Sequence, residues 1–472
     1  MTREVSDVLT GAGRAVSPRK LTFALCLVQF VDVMCVTIVV TALPQMISDF
    51  GGATDSSVIA TAYATFFGGL LLFGARVGER LGHRRSILAS IAVFAAAAAL
   101  AALAPSAFVL ASARALQGAA AACAVPSALA LLTSLAPDDR HRARAIAAWS
   151  ASGAAAGIAG YLVAGTFAQF GDWRLIFWSL LAISALLAIL VLMYVPDDVV
   201  NRSALPFNAL GALTVTTAIM LVVVGASVLD GLRHWLLALG LFACASIAAA
   251  AFLAVDRRSR NPLVPSAFAK IGAVRWGSAT AFVNTATTSG GVTVLTLYLQ
   301  NQLGYSPLAA AAILIPMSAL VIAGSVTAGR FDSRVGTGRA GTVGMGFIAL
   351  GLSGLTIGSP QPVAMLTATA AMGFGLGLSS VASTSTGLSV PGEQRTIASG
   401  LVNTAAQLGT AIGTAVLLLL SSTFDGSSDV SISDPVVPRV AWSCAALTAA
   451  CTALVWFYRT VRERHTGSKP PT

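Results

Sequence analysis

Two ionisable residues stand where the sequence is otherwise apolar: Asp32, in the run from Leu21 to Leu43, and Arg114, in the run from residue 107 to 134. A charged side chain deep in hydrocarbon costs about 2.5–3.5 kcal/mol on insertion scales, so such residues face a protein interior and mark ion or substrate pathways. Asp32 lies about eleven residues from the outer end of its span, roughly 16 Å at 1.5 Å per residue; Arg114 lies about seven from the outer end of its own, roughly 10 Å. Depths so similar allow the side chains to meet if their helices are neighbours. Burial favours the neutral form of a carboxyl and a nearby guanidinium favours the charged form, so a movement that alters their separation would load or release a proton. The pair also fits a fixed ion pair locking its part of the chain, and Arg114 also fits a side chain that snorkels outward.

Weaker polar signals recur at helical spacing. Gln29 lies one turn before Asp32, Gln117 one turn after Arg114, and Asn403 and Gln407 share a helix face. With Asn284 these are candidates to line a substrate path, although hydrogen bonding between helices suits them equally.

A third group is basic. The stretch RVGERLGHRR places Arg76, Glu79, Arg80, Gly82, Arg84 and Arg85 between two apolar runs. Such a cluster belongs at a membrane surface and reads as a short turn there. At an offset of 254 residues, Arg76, Arg80, Gly82 and Arg85 fall on Arg330, Arg334, Gly336 and Arg339. Glu79 falls on Ser333, whereas Asp332 stands one position earlier, opposite Gly78, so only the first copy holds an acid in that register. Duplicated halves in a membrane protein suggest a transporter with its substrate site between the halves and alternating access by rocking. The two clusters are then its cytoplasmic gating loops.

The elements that must carry these residues follow from composition. Of 472 residues 56% are hydrophobic and 10% charged, which is far from a soluble domain and predicts an all-α, polytopic membrane protein. With about twenty apolar residues per crossing, fourteen transmembrane spans are expected, near residues 21–43, 58–75, 86–104, 107–134, 145–169, 174–195, 207–229, 234–254, 276–300, 307–329, 340–358, 362–389, 396–420 and 439–459. Twelve would result if residues 207–254 formed one re-entrant unit. The expected organisation is a tail over 1–20, a six-helix half over 21–195, a linker with two additional helices over 196–275, a second six-helix half over 276–460, and a tail over 461–472. All basic residues except Arg114, Arg174, Arg233 and Arg439 fall in the tails or in alternate connectors, so both termini are expected in the cytoplasm. The net charge of +10 is thereby explained without nucleic acid.

The chain offers little else for chemistry. Its six cysteines (Cys26, Cys35, Cys123, Cys244, Cys444 and Cys451) lie in apolar runs and read as small buried hydrophobes. The four histidines are scattered, so no metal site is expected. GFGLGL at 373–378 lacks a following lysine and reads as helix packing, and no GxxxxGK[ST] stretch occurs. An enzyme, a cofactor and an intrinsic ATPase are therefore not expected; a proton gradient is the expected driving force. Arginine outnumbers lysine and alanine is abundant, which fits a GC-rich bacterial genome; the expected location is a bacterial cytoplasmic membrane.

Several stretches carry a resemblance. RVGERLGHRR is similar to the loop motif between spans 2 and 3 of the major facilitator superfamily, with Glu79 for the usual Asp and Ala75 for the leading Gly. RALQG, Arg114 to Gly118, looks like its span 4 motif, and VDVMCVTIVVTALP resembles the span 1 signature of its fourteen-span drug:proton antiporters. GDWRLIF (171–177), LYLQNQLGYSPLAAAAILIP (297–316) and GLVNTAAQLGTAIGTAV (400–416) extend the likeness over nearly the whole chain. The resemblance implies two six-helix halves plus two inserted helices, proton coupling through Asp32 and Arg114, and multidrug efflux of hydrophobic or cationic small molecules by a monomer. It leaves open a dedicated exporter of one endogenous metabolite and, further off, a non-transporting membrane sensor or membrane enzyme. The span 5 antiporter motif, a GPxxGG pattern, falls on GYLVAG, Gly160 to Gly165, with Tyr161 for the proline. Gly153 and Gly157 still offer a small-residue packing face.

Overall fold

In hydrocarbon every backbone amide must be satisfied within its own segment, so apolar runs of this length become helices. The computed structural model describes residues 17–50, 56–135, 139–170, 172–196, 208–228, 235–259, 262–263, 271–335, 337–390, 395–423 and 436–465. Among them are fourteen α-helices: α1 (Pro18–Asp49), α2 (Ser56–Leu81), α3 (His83–Ala102), α4 (Ala107–Ser134), α5 (Asp139–Gln169), α6 (Arg174–Tyr194), α7 (Ala209–Val228), α8 (Trp235–Arg258), α9 (Gly272–Leu297), α10 (Pro307–Val335), α11 (Thr337–Gly358), α12 (Pro362–Gly387), α13 (Arg395–Thr423) and α14 (Val436–His465). Eleven are long and apolar enough to cross a membrane, or twelve if α2, bent by 54° between Val58–Leu71 and Phe73–Leu81, is one span. Within α7 the apolar stretch is shorter, Leu210–Val222. This is a multi-pass membrane protein.

Helices α1–α6 and α9–α14 pack in the same pattern. In the first group α1 packs on α5, α4 on α2 and α3, and α6 on α3; in the second α9 packs on α13, α12 on α10 and α11, and α14 on α11. The likeness reaches single side chains. Arg174, at the start of α6, donates Nη2 to the Ala104 carbonyl just past α3, at 3.3 Å. Arg439, at the start of α14, donates Nη2 to the Ser359 carbonyl just past α11, at 2.9 Å. Each arginine thus fixes the first turn of the sixth helix of its group to the end of the third.

The groups meet through α5 against α10 and α2 against α13, contacts that exchange under the repeat. Small residues let backbones approach there. A Cβ at Gly165 would stand 3.0 Å from Leu308 Cα, and one at Gly157 would stand 2.6 Å from Ser318 Oγ, both on α10. Gly153 and Gly160 face α1 instead, at Gln29 and at Thr37. The single face expected of Gly153 and Gly157 is therefore two faces, and α5 is pressed between α1 and α10. α7 packs against α2 and α13, and α8 against α7; Thr216 Oγ1 pins α7 by donating to the Gly69 carbonyl at 2.9 Å.

The expected surface turn over Arg76–Arg85 is largely helix. α2 continues through Leu81 and α3 begins at His83, leaving Gly82 as the break. Arginine, glutamate and leucine are good helix formers, so α2 runs on past its apolar stretch. The reversal needs only the positive φ of 93° at Gly82, which glycine adopts without strain. In the second copy α10 likewise continues to Val335.

Candidate functional site

Asp32 sits on α1 and is 7% exposed. It accepts a hydrogen bond from the Tyr63 hydroxyl of α2. Arg114, on α4, is 1% exposed, and its Nη1 donates to Gln117 Oε1 at 3.0 Å and to Cys35 Sγ at 2.7 Å. Its guanidinium carbon stands 4.7 Å from the centroid of the Tyr63 ring, a cation–π arrangement strengthened by desolvation.

Three helices bring these groups together for local reasons. Asp32 and Cys35 are one turn apart on α1, and Arg114 and Gln117 one turn apart on α4, so each pair shares a face. Gly118 lets α4 close on α2, because a Cβ there would collide with the Tyr63 carbonyl. Tyr63 is thereby held between the acid and the base. The expected direct meeting of Asp32 and Arg114 is replaced by this relay, since a phenol ring fills the space a contact pair would need. Arg114 does not snorkel; its guanidinium is turned inward, and its Nε, like Gln117 Nε2, is buried without a hydrogen-bond partner among the described residues.

The second group of helices keeps the packing and drops the chemistry. A Cβ at Gly373 of α12 would collide with the Met317 carbonyl of α10, so Met317 stands where Tyr63 does. Four residues before Gly373, in the place of Arg114, Thr369 donates its hydroxyl to the Ile313 carbonyl at 2.9 Å. Asp32 falls on Ala286 at the 254-residue offset.

The other sequence candidates are dispersed. Gln29 is half-buried and faces α5 at Gly153. Asn284 is buried and donates Nδ2 to Ser380 Oγ on α12 at 2.9 Å. Gln407 packs on Gly68 across the α2–α13 contact, and Asn403 is exposed. Of the basic clusters, Arg84 donates Nη2 to the Leu192 carbonyl at 3.1 Å, tying the start of α3 to the end of α6. Glu79 and Arg339 are half-buried, while Arg80 and Arg85 are exposed. The side chains of Arg76, Arg330, Asp332 and Arg334, and residue Gly336, lie outside the described residues. Two further corrections concern cysteine. Cys244 and Cys451 are exposed rather than buried, since their helices turn those faces outward. Cys35, expected to be a plain buried hydrophobe, accepts from Arg114. Tyr63 joins the site with no sequence signal beyond a lone phenol in an apolar run.

At the N-terminal end of α1 a cavity of about 1130 Å³ is lined by Thr22, Cys26, Phe30, Ala148, Ser152 and Ala155 of α1 and α5 among others, ample for a drug-sized molecule. At the far end of α1, Asp49 accepts from Trp173 Nε1 at 2.7 Å and pairs with Arg174 at 3.0 Å, and Gln300 Nε2 reaches the Thr41 carbonyl at 2.8 Å. The helices are thus joined at one end and leave space at the other.

Comparison with known proteins agrees with this architecture. The family model described as Major Facilitator Superfamily matches residues 25–414. The tetracenomycin C resistance and export protein of Streptomyces glaucescens is 30% identical over 81% of this chain and 72% of its own length. The multidrug resistance protein Stp of Mycobacterium tuberculosis is 28% identical over 87% of this chain and 78% of its own. A crystal structure of peptide transporter POT in complex with sulfate superposes with a TM-score of 0.72 at 14% identity, covering 94% of each chain, and so shares the fold.

Proposed function

The chain belongs to the major facilitator superfamily, and from that premise we propose that it is a proton-coupled efflux transporter, exporting hydrophobic or cationic small molecules such as drugs and antibiotics across the bacterial cytoplasmic membrane by alternating access. It is a transporter rather than an enzyme, and its relatives are drug-resistance and export proteins. The observation that carries proton coupling is the buried Asp32–Tyr63–Arg114 cluster, present in the first group of helices and absent from its repeat. A structural lock would serve both groups alike; a proton site is needed once.

In this account Asp32 carries the proton, Arg114 tunes it, and Tyr63 joins them. The halves rock about the α2–α13 and α5–α10 contacts, with α7 and α8 as the two inserted helices that bring the count to fourteen spans and α7 covering the α2–α13 seam. Both termini face the cytoplasm, so the cavity beside Cys26 and Phe30 opens inward. The two arginine clusters close that side in the opposite state. The driving force is the proton gradient, without a cofactor, and the working unit is a monomer.

A dedicated exporter of one compound is the second reading, favoured by the tetracenomycin C exporter among the relatives. Resistance profiling in a pump-deficient strain separates the two: many unrelated compounds for the first, one for the second. Efflux that persists after an uncoupler collapses the gradient would remove proton coupling from either.

A further inference from the structure

Asp32 also borders a second space, away from Tyr63. A cavity of about 30 Å³ lies between α1, α3, α4 and α6, with Asp32, Ser90 and Ser184 as its polar wall and Ile91, Phe94 and Leu187 among its apolar lining. None of its lining comes from α9–α14, and none is shared with the large cavity at the start of α1. A water needs about 10–15 Å³ and two or more polar partners, so the space suits one or two waters. Ser184 donates its hydroxyl to the Leu180 carbonyl at 2.7 Å, which leaves its oxygen free to accept. Ser90 is 6% exposed and its hydroxyl, which borders the cavity, has no hydrogen-bond partner among the described residues.

From Ser90 a polar file runs along α3 toward its N-terminal end. Ser86 lies one turn back, 2% exposed, and accepts from Ser127 of α4 at 3.3 Å. His83 lies one turn further, at the first position of α3 beside Gly82. A Cβ at Gly78 would stand 2.7 Å from His83 Nδ1 and closer still to Ser127 Oγ, so these groups converge where α2, α3 and α4 meet. The other buried residues of α3 are alanine, isoleucine and phenylalanine, among which a row of hydroxyls has no packing advantage.

We propose that this cavity is a water site through which Asp32 exchanges its proton with the cytoplasmic end of the protein, by way of Ser90, Ser86 and Ser127 to His83, inside the first bundle and apart from the space taken by the transported molecule. The proposal rests on the proton-coupled reading above. The acid form of Asp32 gives its proton to the bound water, which passes one of its own to the Ser90 oxygen as Ser90 releases its hydroxyl proton onward. The rise of about 6 Å from Ser90 to Ser86 exceeds a direct hydrogen bond, so the route requires one further water there, and the same exchange repeats at Ser86 and Ser127. The net change is one O–H bond broken at Asp32 and one N–H bond formed at His83 Nδ1, a buried atom, every hydroxyl being restored. The charged residues next to His83 in sequence are Glu79, Arg80, Arg84 and Arg85. The separate route lets the proton leave while substrate occupies the central space.

The test needs no substrate. Infrared difference spectroscopy of the purified full-length protein, moved from H2O to D2O, follows deuteration of the Asp32 carboxyl band, identified by its loss in D32N. The variant S90L fills the cavity and S90T keeps the hydroxyl; S86A/S127A interrupts the file with small residues. The expected result is carboxyl exchange slowed at least tenfold in S90L and in S86A/S127A, and near wild type in S90T. Exchange at the wild-type rate in S86A/S127A, or in a folded S90L, overturns the route while leaving proton coupling intact. If no carboxyl band is lost in D32N at any pH, the proton-coupled reading itself fails and the route fails with it.

Discussion

Tyr63 gives its phenolic hydroxyl to Asp32 across the α1–α2 contact, and the face of the same ring lies 4.7 Å from the Arg114 guanidinium carbon. One side chain therefore touches both Asp32 and Arg114. Its helix also meets α13 at Gly68 and α7 at Gly69, so any motion of α2 at the seam between the halves is felt at the acid. This is the physical link from rocking to protonation: a shift of α2 removes a hydrogen bond from the carboxyl and a π face from the guanidinium together.

Tyr63→Phe keeps the ring under Arg114 and removes the hydroxyl from Asp32. A hydrogen bond to a charged group is worth about 1.5–3 kcal/mol, so gradient-driven transport is expected to fall about 10- to 100-fold with thermal stability little changed. Tyr63→Ala also leaves a cavity and lowers the melting temperature. Transport and melting curves of both variants check this; a fully active Y63F would place the hydroxyl outside the mechanism.

Gly157 and Ser318 face each other across α5–α10, where a Cβ on the glycine would stand 3.3 Å from Ser318 Cβ, near the disulfide range of about 3.5–4.5 Å. The pair G157C/S318C is expected to cross-link on oxidation, to stop transport, and to recover on reduction, whereas each single variant stays active. Gel mobility of a proteolytically nicked protein and transport before and after reductant provide the measurement.

The mirrored arginines supply a stability test. Arg439→Ala leaves the Ser359 carbonyl without its donor, at a cost of about 1–3 kcal/mol, read as a lower melting temperature in detergent. Arg174→Ala costs less, because its bond to the Ala104 carbonyl is longer, 3.3 Å against 2.9 Å, and its ion pair with Asp49, both more than a third exposed, is screened by solvent. The reverse order would show that the two ends are not equivalent.

The membrane architecture was legible because apolar run length reports helices directly, and the repeat because Arg76, Arg80, Gly82 and Arg85 recur at constant spacing. Asp32 and Arg114 stood out because charge in hydrocarbon is expensive. Tyr63 and Cys35 did not, since a phenol or thiol in an apolar run costs too little to be conspicuous, and their role depends on which helices touch. The end of α2 differs from the sequence expectation for a related reason: charge density marks where a chain leaves the hydrocarbon, not where its helix stops, and Gly82 alone held that information. On α5, Gly153 and Gly157 are one turn apart yet serve different neighbours, which only the packing of α1 and α10 decides.

The central claim is that Asp32 couples transport to the proton gradient, and the direct measurement is uptake of ethidium, a hydrophobic cation, into inverted membrane vesicles with and without an imposed pH gradient, for wild type and Asp32→Asn. The account predicts gradient-driven accumulation by the wild type that an uncoupler abolishes, and no accumulation by D32N, which still exchanges internal for external ethidium. Accumulation by D32N against a concentration gradient would contradict it.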